Sequence, residues 1–120
     1  MPKAEFILYK GVQILNLDLI GSKDMAQNIA AFQLAKKLAM KEPLKSVRLL
    51  TDVTGAHYDS EGVGVIKEFS KATTPHNKAS AVVGVEGIKR IIVQSLIKLT
   101  GRDIRLFNTR EEALEWLAAQ

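Results

Sequence analysis

Short runs of apolar, often β-branched residues alternate with longer stretches whose apolar residues recur every three or four positions, from Phe6 to the end of the chain. A polypeptide that keeps switching between a period of two and a period of 3.6 can bury both kinds of face only by laying helices against a sheet. Phe6 to Tyr9 and Val12 to Leu19 read as two strands joined at Lys10-Gly11, because glycine supplies the positive φ of a tight hairpin. In the second strand Leu15, Leu17 and Leu19 share one face, while Asn16 and Asp18 on the other predict a half-buried far end. Ser22 is placed to cap a helix that runs to about Ala39, with Pro43 beyond its exit. Its apolar stripe, Met25, Ile29, Phe32, Ala35 and Ala39, is widened by a second line through Ala31, Leu34 and Leu38.

Val47 to Thr51 has the unbroken apolar character of a central strand. A helix starting near Asp59-Ser60 follows, with Val65, Ile66, Phe69 and Ala72 inward, and Thr74-Pro75 ends it. Lys78 to Val85 is the next buried strand, and the turn at Gly84 to Gly87 leads to a helix whose stripe is Ile88, Ile91, Ile92, Ser95 and Leu99. Val93 and Ile97 then fall on the opposite side, which makes them the expected association surface. Gly101 stops that helix, Ile104 to Phe107 forms a last strand, and Thr109 to Glu112 has capping-box spacing ahead of a helix with Ala113, Trp116 and Leu117 inward. The expected order is β-β-α-β-α-β-α-β-α, an α/β fold with a mixed, mostly parallel sheet. Functional groups of such sheets gather beyond the carboxyl ends of the strands, here Asp52 to Ser60, Val85 to Gly87 and Asn108-Thr109.

At 120 residues the chain reads as a single domain, 1–120, with no linker-like stretch. It holds no cysteine and only two histidines, so disulfide and thiolate chemistry are excluded, and neither a metal site nor a cofactor is expected. The formal charge of +4 is spread over every segment and aromatic residues are only 6%, which argues against a nucleic-acid partner. The N-terminus lacks the apolar core of a signal peptide and no stretch reaches membrane-spanning length, so a cytoplasmic location is expected.

Asp52, His57 and Ser60 supply the side-chain types of a hydrolytic triad, but they crowd into one short loop without a Gly-x-Ser-x-Gly elbow around Ser60. Asp52 also stands where a phosphoreceiver aspartate would, yet the acidic pair and the late lysine of such a site are missing. Gly62-Val63-Gly64 lies within a helix and lacks the context of a dinucleotide loop. The residues therefore point away from catalysis and toward binding. Asp52, Thr54, Gly55, His57, Tyr58 and Asp59 form the expected ligand or partner loop, and Ser60, at a helix start, is either a cap or a phosphate acceptor.

Leu49-Leu50-Thr51-Asp52-Val53-Thr54-Gly55, followed by Asp59-Ser60-Glu61-Gly62-Val63-Gly64-Val65-Ile66, resembles the central motif of STAS domains of the anti-sigma-factor antagonist type. Tyr9-Lys10-Gly11, Lys78 to Val85, Gly101-Arg102 and Phe107 to Leu117 look like the bacterial SpoIIAA-like proteins, which are stand-alone STAS-like domains. The resemblance covers nearly the whole chain and implies a non-enzymatic regulatory or protein-interaction module. It also implies that Ser60 holds the position of the phosphorylated serine, although Glu61 replaces the motif's second serine with a negative charge. A relation of the family to lipid-binding Sec14-type folds implies, as an alternative, an apolar small molecule, lipid or membrane surface as ligand, held between the sheet and the helix from Met25 to Ala39. A protein partner or self-association is expected under the first reading.

Overall fold

The computed structural model describes residues 2–57, 59–101 and 104–120, apart from the side chains of Ile88, Lys89, Ile92, Leu96 and Thr100. The elements follow in the order β1 (Lys3–Tyr9), β2 (Val12–Asp18), α1 (Met25–Met40), β3 (Val47–Asp52), α2 (Ser60–Thr73), a 3-10 turn (Thr74–His76), β4 (Asn77–Val83), α3 (Ile88–Thr100), β5 (Ile104–Phe107) and α4 (Arg110–Ala118). They build one sheet in the order β1-β2-β3-β4-β5, with β1 antiparallel to β2 and every later pair parallel. Lys10 and Gly11 both carry positive φ, 49° and 77°, as a two-residue type I′ turn between Tyr9 and Val12 requires.

Because β2 to β5 advance in one direction across the sheet, right-handed crossovers place all three intervening helices on the same face. That face holds the larger core, in which Ala31, Phe32, Ala35 and Ala39 of α1 and Ile66 and Phe69 of α2 cover Leu15, Leu17 and Leu49. Phe32 meets Phe69 edge-on at 5.3 Å, an arrangement worth about 1 kcal/mol beyond the area it buries. Among the described residues only α4 covers the other face, with Ala113 and Leu117 against Ile14, Leu50, Ala79, Ala81 and Val83. A tether holds α4 to the hairpin: Tyr9 Oη donates to Glu115 Oε1 at 2.6 Å, and Lys10 pairs with the same carboxylate. Among the described residues no helix is long and apolar enough to cross a membrane.

Three sequence-based expectations change. Asn16 is not half exposed but 3% exposed, since its face of β2 lies under the α4 layer. Val93 and Ile97 are not an outward surface: both are half-buried, and Val93 packs against the larger core. The reason is that α3 shares its face of the sheet with α1 and α2, so its inner line passes through 93 and 97, leaving Ile91 63% and Leu99 49% exposed. The cap of α1 is Asp24, whose carboxylate accepts from Gln27 N at 3.2 Å, rather than Ser22.

Candidate functional site

The carboxyl ends of β2, β3 and β4 continue their ladder into the loops that follow them. Leu19 N donates to Asp52 O at 2.9 Å, Gly21 N to Thr54 O at 2.7 Å and Val53 N to Val83 O at 2.9 Å. The β2–α1 and β3–α2 loops are thereby zipped together, and His57 N closes the pair on Ser22 O at 2.9 Å. Asn28, on the inner side of α1, locks them from beneath by donating through Nδ2 to Ser22 O at 3.4 Å and His57 O at 3.3 Å. Lys23 Nζ reaches across to Gly55 O at 2.6 Å.

Within this frame the expected loop residues separate into two groups. Asp52 is 2% exposed and is not a partner-facing group. Its Oδ1 accepts from Thr54 N at 3.1 Å and from Thr54 Oγ1 at 2.7 Å, while Oδ2 lies 3.8 Å from Arg110 Nη1 at the start of α4. Buried carboxylates need such partners, and these shape the Asp52–Gly55 turn and dock α4. Thr54 is likewise committed to that turn. Gly55 holds φ 68° and backs onto Gly21, a close approach that keeps the two loops in contact. Asp59 takes the cap of α2, accepting from Gly62 N at 2.8 Å.

His57 and Ser60 are left, both exposed. Of the two expected roles of Ser60, helix cap or phosphate acceptor, the cap belongs to Asp59, and among the described residues the Ser60 hydroxyl, at the first residue of α2, has no hydrogen-bond partner. Asp52 is occupied by Thr54 and Arg110 and does not orient His57, so the three residues are not brought together as a hydrolytic set. Tyr58 lies outside the described residues. A hollow of about 80 Å³ adjoins the edge between β4 and β5, lined by Gly84, Glu86, Arg90, Phe107 and Asn108 among others. Asn108 thus faces that hollow, while Thr109 is spent as the cap of α4, accepting from Glu112 N at 3.2 Å. Among the described residues no three histidine or acidic side chains are grouped to hold a metal ion.

Over β2 the space between α1 and the sheet, the expected seat of an apolar ligand, is packed by Ala31, Phe32, Ala35 and Ala39 on Leu15 and Leu17, while at β1 a groove of about 200 Å³ stays open beside α1. Residues that sequence reasoning passed over do much of the positioning: Asn28, Lys23 and Arg110. Asn28 carried a legible signal as a polar residue inside the apolar stripe of α1, whereas nothing local marks Arg110 as the partner of Asp52.

Comparison with known proteins bears on the identity of this edge. No curated protein matches the sequence. Among solved structures, the chain is similar to an uncharacterized protein of the DUF3478 family with a SpoIIAA-like fold from Shewanella loihica PV-4, with a TM-score of 0.76 at 12% sequence identity, covering 98% of this chain and 95% of that one. That likeness shows the fold, a mixed α/β structure with a five-stranded, mostly parallel sheet. The SpoIIAA-like family model matches residues 14–118, from the second strand to the last helix, and the chain therefore belongs to the SpoIIAA-like family.

Proposed function

We propose that the protein is a non-enzymatic regulatory or protein-interaction domain of a bacterial cytoplasm, and that its partner reads the loop edge at His57 and the start of α2. The observation that carries this reading is the free hydroxyl of Ser60, exposed at the first residue of α2 because Asp59 has taken the cap. A phosphate added there would gain from the helix dipole and lose from its neighbours Asp59 and Glu61. The net effect is a small local change beside a cap that orders the loop, which suits a reversible switch on partner binding.

Intact-mass and peptide analysis of the protein isolated from its own cells tests this. The expected result is a single phosphate on Ser60, with a partner whose affinity falls on Ser60→Asp and is kept on Ser60→Ala. An unmodified Ser60 together with partner binding indifferent to both variants would overturn the proposal.

A second reading, binding to an anionic membrane surface, is favoured by the C-terminal end of α1 and the loop after it, where Met40 and Leu44 are exposed beside Lys37, Lys41 and Lys45, with Glu42 as the single acid among them. Co-sedimentation with phosphatidylglycerol vesicles, lost on Lys37→Glu with Lys41→Glu, supports that reading, and equal recovery of both proteins in the supernatant removes it.

A further inference from the structure

Among the described residues β1 pairs only with β2 and so forms an edge of the sheet. In a two-residue hairpin the residues flanking the turn form a hydrogen-bonded pair, so Tyr9, and with it Ile7, Glu5 and Lys3, spend their backbone groups on β2. The N–H and C=O groups of Ala4, Phe6 and Leu8 therefore point away from the sheet. The side chains of these three share the face that carries α1, as the packing of Ala4 and Phe6 against the larger core shows. Leu8, next on that face, is 76% exposed, the highest among the large apolar residues described. Near the other end of the strand a groove of about 200 Å³ runs between β1 and α1, lined by Lys3, Ala4, Gln27, Ala30, Ala31 and Leu34.

We propose that two chains pair antiparallel along β1, about a two-fold axis through Phe6, to form one continuous ten-stranded sheet. This register overlaps all seven residues of β1 and uses every outward backbone group, with Ala4 opposite the partner's Leu8 and Phe6 opposite the partner's Phe6. The largest exposed knob of one copy then sits over the small residue and groove of the other, twice. The axis also brings the two α1 helices side by side on one face, where Leu34, 44% exposed, gains cover. On the other face, Glu5 of each copy lies diagonal to its equivalent, and Lys3 at 3.4 Å within the same chain offsets that repulsion. A strip one strand long, roughly 24 Å, and two layers deep amounts to on the order of 500 Å² per copy, or 1,000 Å² in all, which is the size of a specific but reversible interface.

Sedimentation velocity over a concentration series reaching the millimolar range tests the pairing. The intact chain is expected to move from 13.2 kDa toward twice that mass. Leu8→Lys, at an exposed site that the fold does not need, should raise the dimer dissociation constant by at least about 10-fold, whereas Ile91→Glu on the exposed side of α3 should leave it unchanged. The native chain lacks cysteine, so Ala4→Cys combined with Leu8→Cys reports the register directly: hydrogen-bonded pairs stand about 5.5 Å apart at Cα, within disulfide reach, and oxidation should yield a covalent dimer. A monomer at every concentration, or a dimer that Leu8→Lys spares and Ile91→Glu dissolves, would overturn the proposal.

Discussion

Replacing Gly84 with alanine should damage the fold far more than the same change at Gly11, although the two glycines hold nearly the same backbone angle, φ 81° and 77°. A left-handed conformation costs a residue with a side chain about 1–2 kcal/mol, and that cost is common to both sites. The difference lies in what the new methyl group meets. At Gly11 nothing lies within 4 Å, whereas at Gly84 the added carbon would stand 2.1 Å from Thr54 Oγ1, 2.6 Å from Thr54 Cα and 2.7 Å from Thr54 N. Rotating the threonine side chain removes only the first contact. The other two are backbone, in the turn that Asp52 holds through Thr54 N, so relief requires moving the turn or the end of β4. Overpacking of this kind adds about 1–3 kcal/mol, for a total near 2–5 kcal/mol at Gly84 against 1–2 kcal/mol at Gly11. Out of a typical domain stability of roughly 5–15 kcal/mol that is a large share. Urea denaturation at neutral pH measures it, with the m-value checked for constancy. In thermal melts the gap between the two variants should be roughly 4–12 °C at about 4 °C per kcal/mol. If Gly84→Ala melts within ~2 °C of Gly11→Ala, the close approach of β4 to the Asp52 turn does not limit the fold and the reasoning fails.

The Asp52–Arg110 pair should respond unequally to its two deletions. Asp52→Ala leaves the N–H and hydroxyl of Thr54 without their acceptor and should cost about 2 kcal/mol, while Arg110→Ala, a partly exposed cation 3.8 Å away, should cost under ~1 kcal/mol; equal losses in urea melts would show that the ion pair, not the turn, is what Asp52 provides. The hairpin tether should add a pH-dependent increment. Hydrogen bonding from Lys10, then from Tyr9, lowers the pKa of Glu115, so the stabilisation is present above the unfolded value near 4.3 and is lost as pH falls through the lower folded value. The pKa values of Tyr9 and Lys10 are raised, chiefly by the hydrogen bond to Glu115, so their share persists through neutral pH and is lost only in alkali. Glu115→Gln should therefore lower the melting temperature at pH 7 and leave it unchanged at strongly acidic pH; a difference that persists in acid refutes the assignment.

The SpoIIAA-like fold was legible in the sequence because alternation between two periods is local. So were the hairpin at Lys10-Gly11, a cap of the last helix at Thr109 and the inward placement of Ala113 and Leu117, each set within a few residues. Caps were only partly legible, since Ser22 and Asp24, or Ser60 and Asp59, are chemically equivalent choices two positions or one position apart. At α2 the outcome matters, because a hydroxyl used as a cap is not a free one.

Tertiary structure alone decided which side of α3 faces the core, that Asn16 and Asp52 are covered, and that Arg110 meets a carboxylate 58 positions earlier in the chain. Periodicity fixes the angle between side chains around a helix axis but not the direction from which neighbours approach. That direction follows from strand order and crossover hand, which brought three helices to one face and left α4 to shield the polar side of β2 and β3. Local chemistry thus set which groups were available at the loop edge, and the assembled layers determined which of them, Ser60 and His57 above all, still meet solvent.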